Sequence, residues 1–187
     1  METTTLTSRK TKWVLDHAHS ELGFKVRHMM ISNVKGEFRK FTADVTTIGD
    51  DLCTANVHAE IDPDSIYTND EGRDKHLRSE DFFDVQAHNK IIFESTAMQK
   101  VSDDHYELTG VLRMKGISKE IKLDVEFGGI NKDPWGNHKA GFTIKGKINR
   151  KDWGLTWNVL LETGGVLVSD EIKIHGEVQF LRKSDDY

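Results

Sequence analysis

Late in the chain Ile121, Leu123, Val125 and Phe127 alternate without a break with Glu120, Lys122, Asp124 and Glu126. A period of two places successive side chains on opposite faces of a strand, so this segment has one apolar face and one fully charged face. The pattern recurs in Leu22, Phe24 and Val26 against Glu21, Lys25 and Arg27. It recurs again in Ile172, Ile174, Val178 and Phe180 against Lys173, His175, Glu177 and Gln179. Strands with one wet face must bury the other, and the chain has no amphipathic helices to lay over them. The sheet therefore has to cover itself, as a closed barrel or as a sandwich, and periodicity alone does not choose between these.

Further strands are expected near Phe38 to Ile48, Leu52 to Ile61, Lys90 to Val101, Tyr106 to Met114 and Lys139 to Ile148. Turns separate them at Gly49-Asp50-Asp51, Ser102-Asp103-Asp104 and Lys115-Gly116. Such short connections imply antiparallel neighbours. One helix is predicted, from the capping-box spacing of Thr68-Asn69-Asp70-Glu71 and the i,i+4 pairs Glu71/Lys75 and Asp74/Arg78. It has almost no apolar stripe and cannot cover a sheet; Leu77, with Phe82 and Phe83 after it, is all it offers to a core. Gly36, Gly110, Gly146 and Gly176 fall by parity on the apolar faces. Two readings stay open for them: missing side chains that leave a cavity, or bends needed to coil a barrel.

With 187 residues and no Pro-, Ser- or Gly-rich linker, one domain is the economical reading. It spans residues 13–182, with a flexible polar segment at 1–12 and a short tail at 183–187. Charged residues make up 30% and hydrophobic residues 36%, so the core depends on concentrating the latter on defined faces. The net charge of −5 provides no reason to expect nucleic acid or an anionic membrane surface as partner. No stretch is long and apolar enough to span a bilayer, and residues 1–12 lack the apolar core of a signal peptide, which points to the cytoplasm. Cys53, the single cysteine, is expected to be a small buried apolar residue.

Several segments resemble the YceI-like family. They are Trp13-Val14-Leu15-Asp16; His19-Ser20 through Phe24 to His28; Val34 through Gly36 to Phe38; Arg73-Asp74 through His76-Leu77 to Phe82-Phe83-Asp84; Asn149-Arg150 through Asp152-Trp153-Gly154; and Ser169-Asp170-Glu171-Ile172. The likeness runs from about Trp13 to Arg182, in order. It implies an all-β, lipocalin-like antiparallel barrel with one short helix near an end. It also implies non-enzymatic binding, storage or transport of a polyisoprenoid, an isoprenoid quinone or another long-chain lipid, often by a homodimer. Members are commonly secreted, which this chain's start does not suggest, and Trp153 stands where a smaller aromatic is commoner, which could narrow the cavity.

If the barrel is hollow, parity assigns its lining to Leu22, Phe24, Val26, Phe38, Phe93, Leu108, Leu112, Phe127, Phe142, Ile144, Val178 and Phe180. Such walls suit methylene or isoprene units, since burial contributes about 25 cal/mol per Å² of apolar area. A polar head group would need donors at the mouth. His28, Arg73, His76 and Arg150 are the candidates, with Leu77, Phe83 and Trp153 around them; Arg73 and His76, three apart on the helix, face the same way.

The rival chemistries have weaker signals. His17 and His19 on one strand face, with His28, would be three imidazoles for a metal, but no ligand signature accompanies them, and neither a metal nor another cofactor is expected. No nucleophile elbow, phosphate loop or dinucleotide fingerprint occurs in its required context. The alternative enzyme would act on a lipid or quinone in the same pocket, with His28 or His76 as acid or base. A third reading is a filled barrel that works through its outer face.

Overall fold

The computed structural model describes residues 9–183. Eleven strands and one helix follow in the order β1 (Lys10–Leu15), β2 (Glu21–His28), β3 (Ser32–Phe38), β4 (Phe41–Ile48), β5 (Asp51–Ile61), β6 (Ile66–Tyr67), α1 (Glu71–Arg78), β7 (Ile91–Ser102), β8 (His105–Met114), β9 (Ile117–Lys132), β10 (His138–Asn149) and β11 (Val168–Arg182). All the pairings are antiparallel, in the order β1-β4-β5-β7-β8-β9-β10-β11. β1 pairs back onto β11 through Trp13↔Arg182, Val14↔Leu181 and Leu15↔Phe180, and this closes an eight-stranded barrel.

The sheet forks where it closes. β11 pairs with β1 at Phe180–Arg182 and with β2 from Val168 to Glu177, so β1 and β2 lie end to end along one neighbour. Between them His17–His19 form a 3-10 turn, capped by the Asp16 carboxylate, which accepts from the Ala18 amide at 3.1 Å. β2 continues into the β2–β3 hairpin and β6, an extension that walls the lower barrel. The alternation of β9 is realised: Ile121, Leu123 and Val125 are buried while Lys122, Asp124 and Glu126 are exposed.

Several expectations need correction. Lys10, Thr11 and Lys12 pair with Ile48, Thr47 and Thr46, so the last part of the segment expected to be flexible is strand. Residues 1–8 and 184–187 lie outside the described residues. The strand expected from Phe38 to Ile48 is two, broken at Arg39-Lys40. Cys53 is exposed, because its neighbour Leu52 takes the inward parity of β5. Thr68 is not the helix cap; Asp70 is, accepting from the Arg73 amide at 2.9 Å. Asp74 is buried and accepts from the Thr68 amide at 2.9 Å and the Thr68 hydroxyl at 2.5 Å. Arg78 turns instead to the Asp64 and Ile66 carbonyls, so the Asp74/Arg78 pair does not form.

Glycine positions also differ from the cavity reading. A Cβ on Gly36 would lie 2.3 Å from Phe24 Cζ, on Gly110 2.4 Å from Phe93 Cζ, and on Gly146 2.5 Å from Leu123 Cδ2. Three of the four glycines are therefore already covered by a large side chain from a neighbouring strand, and at Gly36 and Gly110 this is the arrangement by which aromatics stabilise glycines in curved sheets. Only Gly176 has ordinary contact distances, 3.6 Å or more.

Candidate functional site: an apolar cavity inside the barrel

The inward faces enclose a cavity of about 240 Å³, and a smaller chamber of about 70 Å³ continues it along the barrel. Val57, Leu108, Ile144, Val178 and Phe180 border both, and so form the partition between them. Ala43 and Ala59 lie on the wall of the larger space, and Ala55 and Ala140 on that of the smaller. Small side chains on β4, β5 and β10, more than the glycines, leave the room.

Of the lining expected from parity, Leu22, Phe24, Val26, Phe38, Phe93, Leu108, Leu112, Ile144, Val178 and Phe180 border the larger cavity and Phe142 the smaller. Phe127 borders neither. It packs on Phe142 at 5.3 Å between ring centroids, because a register shift at Gly141/Phe142 alters its position relative to β10. Parity did not single out Phe41, Ala43, Val57, Ala59 or Ile61, although the alternation in β4 and β5 carried the signal; nor did it find Phe82 or Leu155, which come from irregular segments.

The polar residues expected at a mouth are not brought together. Arg150 borders the cavity but is 2% exposed, and its guanidinium donates to the carbonyls of Ser169 at 2.9 Å, Leu155 at 2.6 Å, Trp157 at 2.9 Å and Val168 at 3.3 Å. Burial pushes its pKa down, with the Asp170 carboxylate at 3.9 Å opposing. Arg73 does not face the cavity with His76; it donates to the Thr68 hydroxyl at 2.7 Å and the Thr68 carbonyl at 2.6 Å. His76 meets Asp81 at 2.8 Å and stands edge-on to Phe82 and Trp157.

Neither His28 nor His76 is among the lining residues, whereas Leu77 and Phe83 are. Trp153 does not narrow the cavity: its indole NH donates to the Leu112 carbonyl at 2.9 Å and its ring is buried in the core beneath. His17 and His19 sit in a 3-10 turn rather than on a strand face, with His19 held by Asp16 at 2.9 Å. Among the described residues no three His, Cys, Asp or Glu side chains converge as a metal site would require.

Polar side chains on the walls are thus few and already engaged: Arg150 in the larger space, and in the smaller Thr47, which accepts from the Trp13 indole at 3.1 Å and donates to the Gly49 carbonyl at 2.6 Å. Everything else is aliphatic, aromatic, methionine or glycine. An apolar space of this kind stays dry and accepts apolar guests.

A family model for the YceI-like domain matches residues 13–180. The chain belongs to the YceI-like family. Among this YceI-like protein's curated relatives, a UPF0312 protein of Staphylococcus aureus (strain N315) is 40% identical over 173 residues, covering 91% of this chain and 97% of that one. The Campylobacter jejuni YCEI protein superposes with a TM-score of 0.73 at 32% identity, over 98% of this chain and 100% of that one. A polyisoprenoid binding domain from Saccharophagus degradans, implicated in plant cell wall breakdown, shares the fold at TM-score 0.63 and 12% identity, over 91% and 98% of the two chains. No helix among the described residues of this YceI-like barrel is long and apolar enough to cross a membrane.

Proposed function

We propose that this YceI-like barrel binds the apolar chain of a lipid of the polyisoprenoid or isoprenoid-quinone class, without chemical change, as a carrier or store. The observation that carries the reading is a cavity with no free donor or acceptor on its walls, because Arg150 and Thr47 are already hydrogen-bonded within the protein. A guest there gains burial energy alone, at about 25 cal/mol per Å². The description of the Saccharophagus domain as polyisoprenoid binding supports the same class of guest. An engineered cavity of ~150 Å³ takes benzene, so 240 Å³ suits a larger apolar group. A long chain would thread past Val57 and Ile144 into the second chamber. Any head group stays outside the apolar walls. Catalysis by His28 or His76 draws no support from the geometry, since neither ring borders the space.

Native mass spectrometry of untagged protein from its own cells, followed by organic extraction, tests the reading. A bound lipid with an isoprenoid chain is expected. Ala43→Leu with Ala59→Leu should lower uptake of added polyprenol by more than about tenfold, because the new methylenes occupy the guest's volume. Protein at its bare mass that also fails to take up polyprenol would overturn it.

A further inference from the structure

We infer that the end of the barrel formed by the β2–β3 turn and the 154–167 loop docks on an anionic lipid bilayer. The net charge of −5 argues against this only as an average. The fold gathers Lys35, Lys25, Lys173 and Lys147 directly opposite one another across β3, β2, β11 and β10. Like charges in cross-strand register are unfavourable. None of these four lysines has an ion pair among the described residues, whereas Lys122, which borders the same outer groove, pairs with Glu107 at 3.2 Å. The acids of that groove, Glu21, Glu37 and Asp124, all lie on the side away from the turn. On the turn side the same four strands continue with Arg27, Asn33, Asn149 and two acids, Glu171 and Asp170, of which Asp170 pairs with Lys151 at 3.4 Å.

The turn itself is apolar and exposed. Met29 and Met30 take left-handed backbone conformations, with φ of 52° and 64°, where a hairpin turn would ordinarily use Asn-Gly. Arg27 Nε braces the turn by donating to the Met30 carbonyl at 3.1 Å. The Met29 amide donates to the Leu167 carbonyl at 2.8 Å, and the Leu167 amide to that of Val159 at 2.9 Å, so the turn and the loop form one surface. On it Met29, Met30, Ile31, Val159 and Leu160 are 44%, 49%, 78%, 46% and 83% exposed.

Apolar tip and basic band are spaced for a bilayer. Lys25 is four residues behind Met29, ~13 Å along a strand, which becomes roughly 10 Å of height at a barrel tilt of ~40°. With the tip in the boundary between acyl chains and head groups, the lysine row meets the anionic surface. An acidic protein would satisfy the lysines but not the five exposed apolar side chains. A bilayer satisfies both, and Val168 and Ile172 of the cavity wall lie on β11 beside β2 at this same end. The purpose of docking, collection or delivery of the guest, rests on the proposed lipid binding; the docking itself does not.

Flotation of the full chain with phosphatidylcholine vesicles, with and without phosphatidylglycerol, tests the inference. Partition onto the anionic vesicles should be roughly tenfold greater and should fall as salt is raised. Lys25→Gln with Lys35→Gln, and separately Lys147→Gln with Lys173→Gln, should remove that preference. Met30→Ser with Leu160→Ser should reduce partition onto both compositions. Uptake of N-phenyl-naphthylamine in vesicle-free buffer should be unchanged in every variant, which separates loss of docking from loss of the cavity. Equal partition onto both compositions, or wild-type partition in all the variants, overturns the inference. So does a dimer that Met30→Ser with Leu160→Ser dissociates without changing vesicle binding.

Discussion

At Gly36 there is no room for one methyl group, since Phe24, its direct cross-strand partner, lies over the Cα, and at Gly110 Phe93 does the same. Gly36→Ala and Gly110→Ala should each lower stability by about 1 to 3 kcal/mol through overpacking. Gly176→Ala, with its nearest neighbour at 3.6 Å, should be close to neutral by comparison. Urea denaturation of the three variants checks the ordering. The parity of these glycines was legible in the sequence. Whether a neighbour's ring covered them was not, because that depends on rotamers chosen across strands distant in sequence.

At the scale of an element, the turn after β10 and the 154–167 loop are organised by one side chain. Arg150 connects the carbonyls of Leu155 and Trp157, in a segment with no ladder of its own, to those of Val168 and Ser169 at the irregular start of β11. Arg150→Met would leave the carbonyls of Leu155, Trp157 and Ser169 without that donor, at about 1 to 3 kcal/mol each where no water reaches, whereas Val168 keeps the Asn158 side-chain amide at 2.8 Å. A loss of about 3 kcal/mol or more by urea denaturation is therefore expected. Arg150→Lys should recover little of it, because an ammonium cannot reproduce the planar fork. The Asn149-to-Gly154 motif was visible in the sequence, but a charged residue at the edge of an apolar space reads equally well as a ligand donor or as a clamp. The carbonyls that decide between these are backbone groups and leave no mark in the side-chain pattern. α1 behaves alike: its position was legible, whereas its cap and the Asp74–Thr68 contact follow from which polar group the fold buries.

Across the whole molecule, closure depends on the break between β1 and β2, where Asp16 holds the 3-10 turn. Burial alone would raise the Asp16 carboxyl, but hydrogen bonds from Lys139 and His19 outweigh it and hold the pKa below the usual aspartate value. A depressed carboxyl contributes stability that is fully present above its unfolded pKa, ~4, and that is lost as pH falls through the folded value. Asp16→Asn should therefore be less stable than the wild type at neutral pH, with the gap narrowing as pH falls below ~4. Thermal melts of both proteins from pH 7 downward would show it. A gap that widens in acid would mean that Asp16 does not hold the fork.

Alternating residues on β2, β9 and β11 were enough, from sequence alone, to establish a self-covering antiparallel sheet and most of its inward face, because strand geometry makes side-chain direction a matter of parity. The family motifs pointed to the barrel in particular. Only the tertiary structure decided where empty space lies, which polar groups are already engaged, and that four lysines scattered from residue 25 to residue 173 stand in one row. Those outcomes depend on register between strands far apart in the chain, and register is set by how the closed barrel packs rather than by any one strand.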